Sequence, residues 1–395
     1  MLENRQLFFR HLAQTSESPM AIALDRAEGI YLYDSDNVDY VDLIAGFAVS
    51  NIGHSHPQVI TAIKDQIDRY MHLMVYGEII QQPQVQYAQK LTSLLPENLN
   101  TVYFTSSGTE ATEGAMKLAK RHTNRSKIIY FKNSYHGSTQ GALSIMGDEY
   151  FKQAYRPLLP DVHALEYGNI NELNKVDQHT AAVFFEPIQA ESGVTVPSFD
   201  FAKALEKRCH EMGALLVIDE AQTAFGRTGK LWGFEHFGIQ PDIILLAKAI
   251  GGGLPLGAFI ANQSVMKSLT TDPVLGHITT FGGHPVSCAA GLAALQVLLD
   301  ENLIVNVEAK GLLFEQLLTH PKVKQIRRKG LMMALDFEQE DLNKKIIHRA
   351  VAKKIFTDWF LFSPTSLRIC PPLTITEEQV YAVCKTLKSC IDEVE

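Results

Sequence analysis

The sequence predicts an α/β protein: one large, mostly parallel sheet covered by helices, with a smaller α+β unit made by the two chain ends. Short apolar runs alternate with helical patterns through the middle of the chain, these runs are continuously apolar, and both ends break the pattern. At 395 residues the chain is longer than a usual single domain, and roughly 150 residues per domain gives two to three. Hydrophobic residues at 46% and charged residues at 20% exclude a disordered or fibrous chain.

The first 50 residues hold GIYLYDSDNVDYVDLIAG, two alternating runs about a turn at SDN, which predicts a hairpin. TVYF at 101–104, KIIYF at 127–131, AAVFFE at 181–186, ALLVID at 214–219, DIILLA at 242–247 and GAFIA at 257–261 follow as strands. Their continuous apolarity means both faces are covered. EATEGAMKLAKRH after Gly108 and FAKALEKRCHEMG at 201–213 carry apolar residues at helical spacing, the second closed by Gly213 as a C-cap. From about 313 a helix, the strand GLMMALDFE, another helix, RICPPLTIT and a final helix at 376–394 succeed one another. The chain therefore divides into 1–50, 51–310 and 311–395, with the two ends expected to pack together.

Lys plus Arg is 36 against 44 for Asp plus Glu, a net charge of −8, the wrong sign for phosphate neutralisation in nucleic acid or for an anionic membrane. Cys209, Cys288, Cys370, Cys384 and Cys390 form no CxxC pair, so a reduced, cytoplasmic protein is expected. The start MLENRQLFFRHLAQ has no apolar signal region, and ALLVI and IILLA are far short of the ~20 residues a membrane span needs. The 14 histidines form no HExxH; His54 and His56 in GHSHP read as part of a turn, and no metal is expected.

Four segments carry chemistry. Lys248 in DIILLAKAIGGGLPLG follows an apolar strand and precedes three glycines; it is either a lysine snorkelling out at a strand end or an amine whose pKa burial lowers for Schiff-base chemistry. Asp219 closes ALLVID at the sheet edge where α/β proteins bind ligands, and could alone be a helix N-cap. An aspartate at one strand end and a lysine at the next match the needs of pyridoxal phosphate, whose ring nitrogen takes the carboxylate and whose aldehyde takes the amine. TSSGTEATEGAMK places Ser106, Ser107, Gly108 and Thr109 at a helix start, an anion site by dipole and free N–H groups, although SGTE also fits a capping box. NSYHGST supplies Tyr135, able to cover a planar ring or simply to pack, and His136, for which a satisfied, partly buried histidine is the plain alternative.

Together SSGTEATEGAMKLAK, YHGST, FFEPIQAESGVTVP, LLVIDEAQTAFGRTG, LLAKAIGGGLPLGA, TTFGGHPVSCAAG and LRICPPLTIT resemble the class III aminotransferases, of fold type I among pyridoxal phosphate enzymes, with the layout of acetylornithine and ornithine aminotransferases. The resemblance implies Lys248 as the Schiff-base lysine, Asp219 at the pyridine nitrogen and Gln222 near the ring hydroxyl. It also implies Ser107, Gly108 and Thr109 at the phosphate, Tyr135 on the ring, and Thr280 reaching the phosphate of a neighbouring subunit in a homodimer. Arg368 resembles the arginine that grips the carboxylate of glutamate or 2-oxoglutarate, and Glu191 the gate that neutralises it when an ω-amine donor binds.

Two positions depart from that pattern. YHGST has Ser138 where the acetylornithine and 4-aminobutyrate enzymes have an arginine, and Phe47 stands where ornithine aminotransferases have a tyrosine, so both usual anchors for the donor's distal carboxylate are absent. Tyr76 and Glu78, in YMHLMVYGEIIQQPQ, could face the donor tail, where a carboxylate would suit a cationic end; a solvated surface glutamate is the other reading. The expected activity is ping-pong transamination from an acetylornithine- or ornithine-like ω-amine donor to 2-oxoglutarate. Diamine, lysine or 4-aminobutyrate donors, an aminomutase or racemase on the same fold, and a catalytically silent scaffold are the alternatives.

Overall fold

The structure, a computed structural model, describes residues 4–394. Its strands, in chain order, are β1 (Leu24–Glu28), β2 (Tyr31–Asp34), β3 (Asp39–Asp42), β4 (Thr101–Thr105), β5 (Lys127–Phe131), β6 (Val162–Leu165), β7 (Thr180–Phe185), β8 (Leu215–Asp219), β9 (Ile243–Leu246), β10 (Gly257–Ala261), β11 (Gln325–Lys329), β12 (Met332–Asp336), β13 (Ile355–Phe356), β14 (Trp359–Phe360) and β15 (Ser363–Ile369). The large sheet has the order β4-β10-β9-β8-β7-β5-β6. Only β10 runs against its neighbours β4 and β9, so the fold is α/β with a mostly parallel sheet, as the sequence predicts.

Successive residues of one strand enter two different cores. Ile129, Phe131, Val183, Phe185, Leu216, Ile218, Ile244 and Leu246 pack on one face, while Ile128, Tyr130, Ala182, Phe184, Val217, Ile243 and Leu245 pack on the other. Because the side-chain period is two, a strand buried on both faces must be apolar at every position. The helix Gly108–Thr123 packs across β9, β10 and β7. The helix Phe199–Met212 ends at Gly213, which takes φ 63 in the left-handed region as a C-cap.

The two chain ends share a sheet. The hairpin of β2 and β3 turns at residues 35–37, and β3 pairs in parallel with β13, giving the order β1-β2-β3-β13. A second sheet, β11-β12-β15-β14, carries Arg368 on β15. The edge strand β6 and the short β11, β13 and β14 have no counterpart in the sequence prediction; β6 has one buried residue among its four, so continuous apolarity could not mark it.

Candidate active site

Four chain segments end at one rim of the large sheet and enclose a cavity of about 710 Å³. Its lining includes Ser107, Gly108, Thr109, Tyr135, Ser138, Asp219, Gln222 and Lys248, brought from positions as far as 141 residues apart by strand ends that lie side by side.

Lys248 lies just beyond the end of β9 and takes φ +57, a left-handed conformation that costs a non-glycine residue on the order of 1 kcal/mol. Its amine faces the cavity instead of snorkelling away from it. Burial lowers its pKa, opposed by the charges of Glu191 and Asp219, which favours a neutral, nucleophilic amine.

Asp219 ends β8 and is buried. His136 Nδ1 donates to its Oδ2 at 2.7 Å, and the Ala221 amide donates to Oδ1 at 2.9 Å. Burial lowers the His136 pKa, but the Asp219 hydrogen bond and charge outweigh it, and the net shift is upward. His136 is thus paired with Asp219 at one ring nitrogen, while its Nε2 is buried without a partner, so it is not the fully satisfied histidine of the sequence reading. Glu186, just beyond β7, accepts from the Tyr135 amide at 2.9 Å and from the Ala190 amide at 3.3 Å. Burial pushes its carboxyl up to about 7, with His136 lowering and Asp219 raising it. The sequence signal for Glu186 was available: an acid at the end of an unbroken apolar strand, the same signature that singled out Asp219.

The helix Gly108–Thr123 starts directly over the end of β9. A Cβ on Gly108 would lie 2.8 Å from the Ala247 Cβ, so glycine lets the helix start touch the residue before Lys248. Ser107 is the N-cap, its side chain accepting from the Glu110 amide at 3.3 Å, while Glu110 accepts from the Ser106 amide at 2.8 Å. Only half of the capping box of the sequence reading forms, since Glu110 reaches the amide before the N-cap, and the first-turn amides at Gly108 and Thr109 are left for an anion. Thr109 Oγ1 and Thr139 Oγ1 are 2.8 Å apart, tying this turn to the YHGST loop, in which the Tyr135 hydroxyl lies 3.1 Å from Ser138 Oγ.

Beside the cavity, Arg368 Nη1 and Nη2 donate to Glu191 Oε1 and Oε2 at 3.2 and 2.9 Å. Gln222 Nε2 donates to the same Oε1 at 2.9 Å, linking the pair to the cavity wall. Burial raises the Glu191 pKa, yet Arg368 overrides it and holds it at about 2. Arg368 is 2% exposed and lies between the rings of Phe47 and Phe360, whose centroids are 4.9 and 4.1 Å from its guanidinium carbon. Phe47 itself takes φ 61 in a tight loop whose start is pinned by Asp42, which accepts from the Ile44 and Ala45 amides. Asp358 accepts from Arg368 Nε at 2.9 Å, and burial pushes its carboxyl up to about 6 despite the arginine; no motif marked it.

Tyr76, Glu78 and Thr280 do not reach this cavity within one chain. Tyr76 and Glu78 line a separate surface recess with Val102, Phe104, Thr279 and Gly282, because their loop runs outside β4 instead of over the strand ends. Thr280 is exposed next to it.

With this geometry in view, comparison with known proteins is informative. The family model Aminotransferase class-III matches residues 12–391. The acetylornithine aminotransferase of Methanopyrus kandleri is 38% identical over 384 residues, 96% of each chain. The ornithine aminotransferase of Toxoplasma gondii superposes with a TM-score of 0.91 at 28% identity, over 99% of this chain and 95% of that one. An amine transaminase of an uncultivated Pseudomonas species, solved with pyridoxal phosphate bound, gives 0.89 at 26% identity over 98% of each chain. Fold and site together define an enzyme of fold type I among the pyridoxal phosphate-dependent transferases. Within it, the chain belongs to the class III aminotransferases.

Proposed function

We propose that this aminotransferase carries pyridoxal phosphate and moves an amino group from an acetylornithine- or ornithine-like ω-amine donor to 2-oxoglutarate in a ping-pong cycle. The carrying observation is the bidentate Glu191–Arg368 pair next to Lys248. An enzyme alternating between a donor with no carboxylate at that place and an acceptor with one needs an arginine that can be neutralised and released.

The residues present fit the cofactor. The amides of the Ser107–Thr109 turn suit its phosphate, the Tyr135 ring its face, Asp219 its ring nitrogen, Gln222 its hydroxyl and the Lys248 amine its aldehyde. Bound there, it supplies an electron-withdrawing ring that acidifies the C–H bond beside the amino group. Lys248, with its lowered pKa, is suited to take that proton and return it one atom along. His136 holds the Asp219 carboxylate in place and stabilises its negative charge. Arg368 binds the acceptor's carboxylate once Glu191 turns aside.

Phe47 and Ser138 offer no ion pair to a distal carboxylate, which favours diamines as a second donor class; lysine and 4-aminobutyrate carry such a carboxylate and would need another anchor for it. An aminomutase would have no use for the Glu191–Arg368 exchange. Met71, Leu73, Ile79, Ile80, Ile278 and Phe281 expose apolar surface around Thr280, which supports a homodimer in which Thr280 serves the neighbour's phosphate. The five cysteines are free and buried, in keeping with a reducing, cytoplasmic setting. The units 1–50, 51–310 and 311–395 are the domains of this reading. Incubating the loaded enzyme with 2-oxoglutarate and a panel of acetylornithine, ornithine, lysine, 4-aminobutyrate and diamines, with glutamate as the readout, tests it. Glutamate from at least one ω-amine is expected, and none from any donor overturns the assignment.

A further inference from the structure

Arg368 is held by two carboxylates on two different edges. Glu191 faces Nη1 and Nη2, and Asp358 faces Nε. The two are rooted differently. Glu191 lies in an irregular loop after β7, where its Oε2 also accepts from the Leu361 amide at 3.0 Å. Asp358 belongs to the strand pair that carries the arginine itself: the Arg368 amide donates to the Asp358 carbonyl at 2.9 Å, and the Thr357 hydroxyl donates to the Arg368 carbonyl at 2.6 Å. The Asp358 side chain is 14% exposed, that of Arg368 3%. A carboxylate so anchored cannot follow Glu191 when the gate turns.

We propose that Asp358 is a positioning residue for the acceptor half of the reaction: it clamps Arg368 by Nε, keeps the Nη edge turned to the substrate, and prevents a bare buried cation while Glu191 is being exchanged for substrate. This rests on the reading of Arg368 as the acceptor's anchor. The charge argument is additive. Asp358 repels Glu191 and an incoming carboxylate alike, so it alters little the balance between the two bound states. It acts on the open state between them, in which Arg368 would otherwise have no counter-ion in a buried site. Removing the charge should therefore slow the exchange, and the donor half, run with the gate closed, should be spared.

The test uses the cofactor-loaded enzyme and follows each half-reaction separately by its change in cofactor absorbance. Asp358→Asn, which keeps the shape, is expected to lower the rate constant for 2-oxoglutarate at least fivefold while the donor rate changes less than twofold. Asp358→Glu, which keeps the charge, is expected to restore part of the loss. Equal losses in both half-reactions, or no loss in either, overturn the proposal. Arg368→Ala serves as the reference: if it spares the 2-oxoglutarate half-reaction, the underlying assignment of Arg368 fails and the role of Asp358 with it. If Arg368→Ala abolishes that half-reaction and Asp358→Asn does not slow it, only the role of Asp358 fails.

Discussion

Glu191 and Gln222 are hydrogen-bonded at 2.9 Å, Oε1 accepting from Nε2, so the residue that pairs with Arg368, the proposed gate, also holds a side chain of the cavity wall. Gate and cofactor cavity share this contact, and a change at one is felt at the other. Glu191→Gln keeps the shape but removes the charge, leaving Arg368 with Asp358 as its sole carboxylate. Half-reaction kinetics should show donor KM rising about tenfold, roughly 1.4 kcal/mol, with the 2-oxoglutarate half-reaction preserved or faster. Loss of both halves together would contradict the gate.

Lys248→Ala removes both the amine that holds the cofactor aldehyde and the proton carrier. The purified variant should be colourless after gel filtration, and turnover should fall by at least the ~10²–10⁴-fold that general acid–base catalysis contributes. Circular dichroism should be unchanged, since Lys248 makes no packing contribution comparable to that of β9. A yellow variant would place the aldehyde elsewhere.

Gly108→Ala puts a methyl group 2.8 Å from the Ala247 Cβ. Overpacking of this kind costs about 1–3 kcal/mol, and here the helix start must lift away from the residue preceding Lys248. The expected result is weaker retention of pyridoxal phosphate on dialysis, with a modest fall in melting temperature. Thr112→Ser, one turn further along the same helix, is the control and should retain the cofactor.

Glu186 gives a pH prediction with a definite sign. Its carboxyl is raised from 4.5 to about 7 in the folded chain, so between those values the folded state binds more protons than the unfolded one, and stability falls as pH rises through the window. Glu186→Gln removes this penalty. Denaturant titrations of the cofactor-free protein should show the variant gaining on the wild type by on the order of 2 kcal/mol between pH 4.5 and 7.5, His136 offsetting part of the effect. A difference that is flat with pH would refute it.

The parts of the site that were legible in the sequence are those whose position follows from chain-local rules. Asp219 and Lys248 sit at the ends of continuous apolar strands, and Ser107 and Gly108 open an amphipathic helix, so each could be placed at the sheet's rim from its own neighbourhood. Asp358 has no such mark: it lies at the edge of a two-residue strand, and its importance comes from Arg368, ten positions on, folding back beside it. His136 was visible as a residue but not as a partner, because its pairing with Asp219 spans 83 positions and three strands of the sheet. The direction of β10 was equally hidden, since an apolar run reads the same in either sense. Tyr76 and Glu78 lie in a recess outside β4, apart from the cavity of their own chain, a placement that depends on the path of their loop and leaves no mark in the residues themselves.

The reversed strand β10 begins with Gly257 opposite Thr105, at the rim where the cavity opens. A Cβ there would run into the carbonyl of Ser107. Because the strand starts at this rim without a side chain, the turn at Ser107 can fold across it and meet Ala247 on the far side. Neighbouring strands are ~4.8 Å apart, so β10, lying between β4 and β9, acts as a spacer of fixed width between the turn proposed for the phosphate and the lysine. It contributes no reacting atom, yet it sets the length of molecule that can bridge the two, and any residue larger than glycine at its first position would change that length.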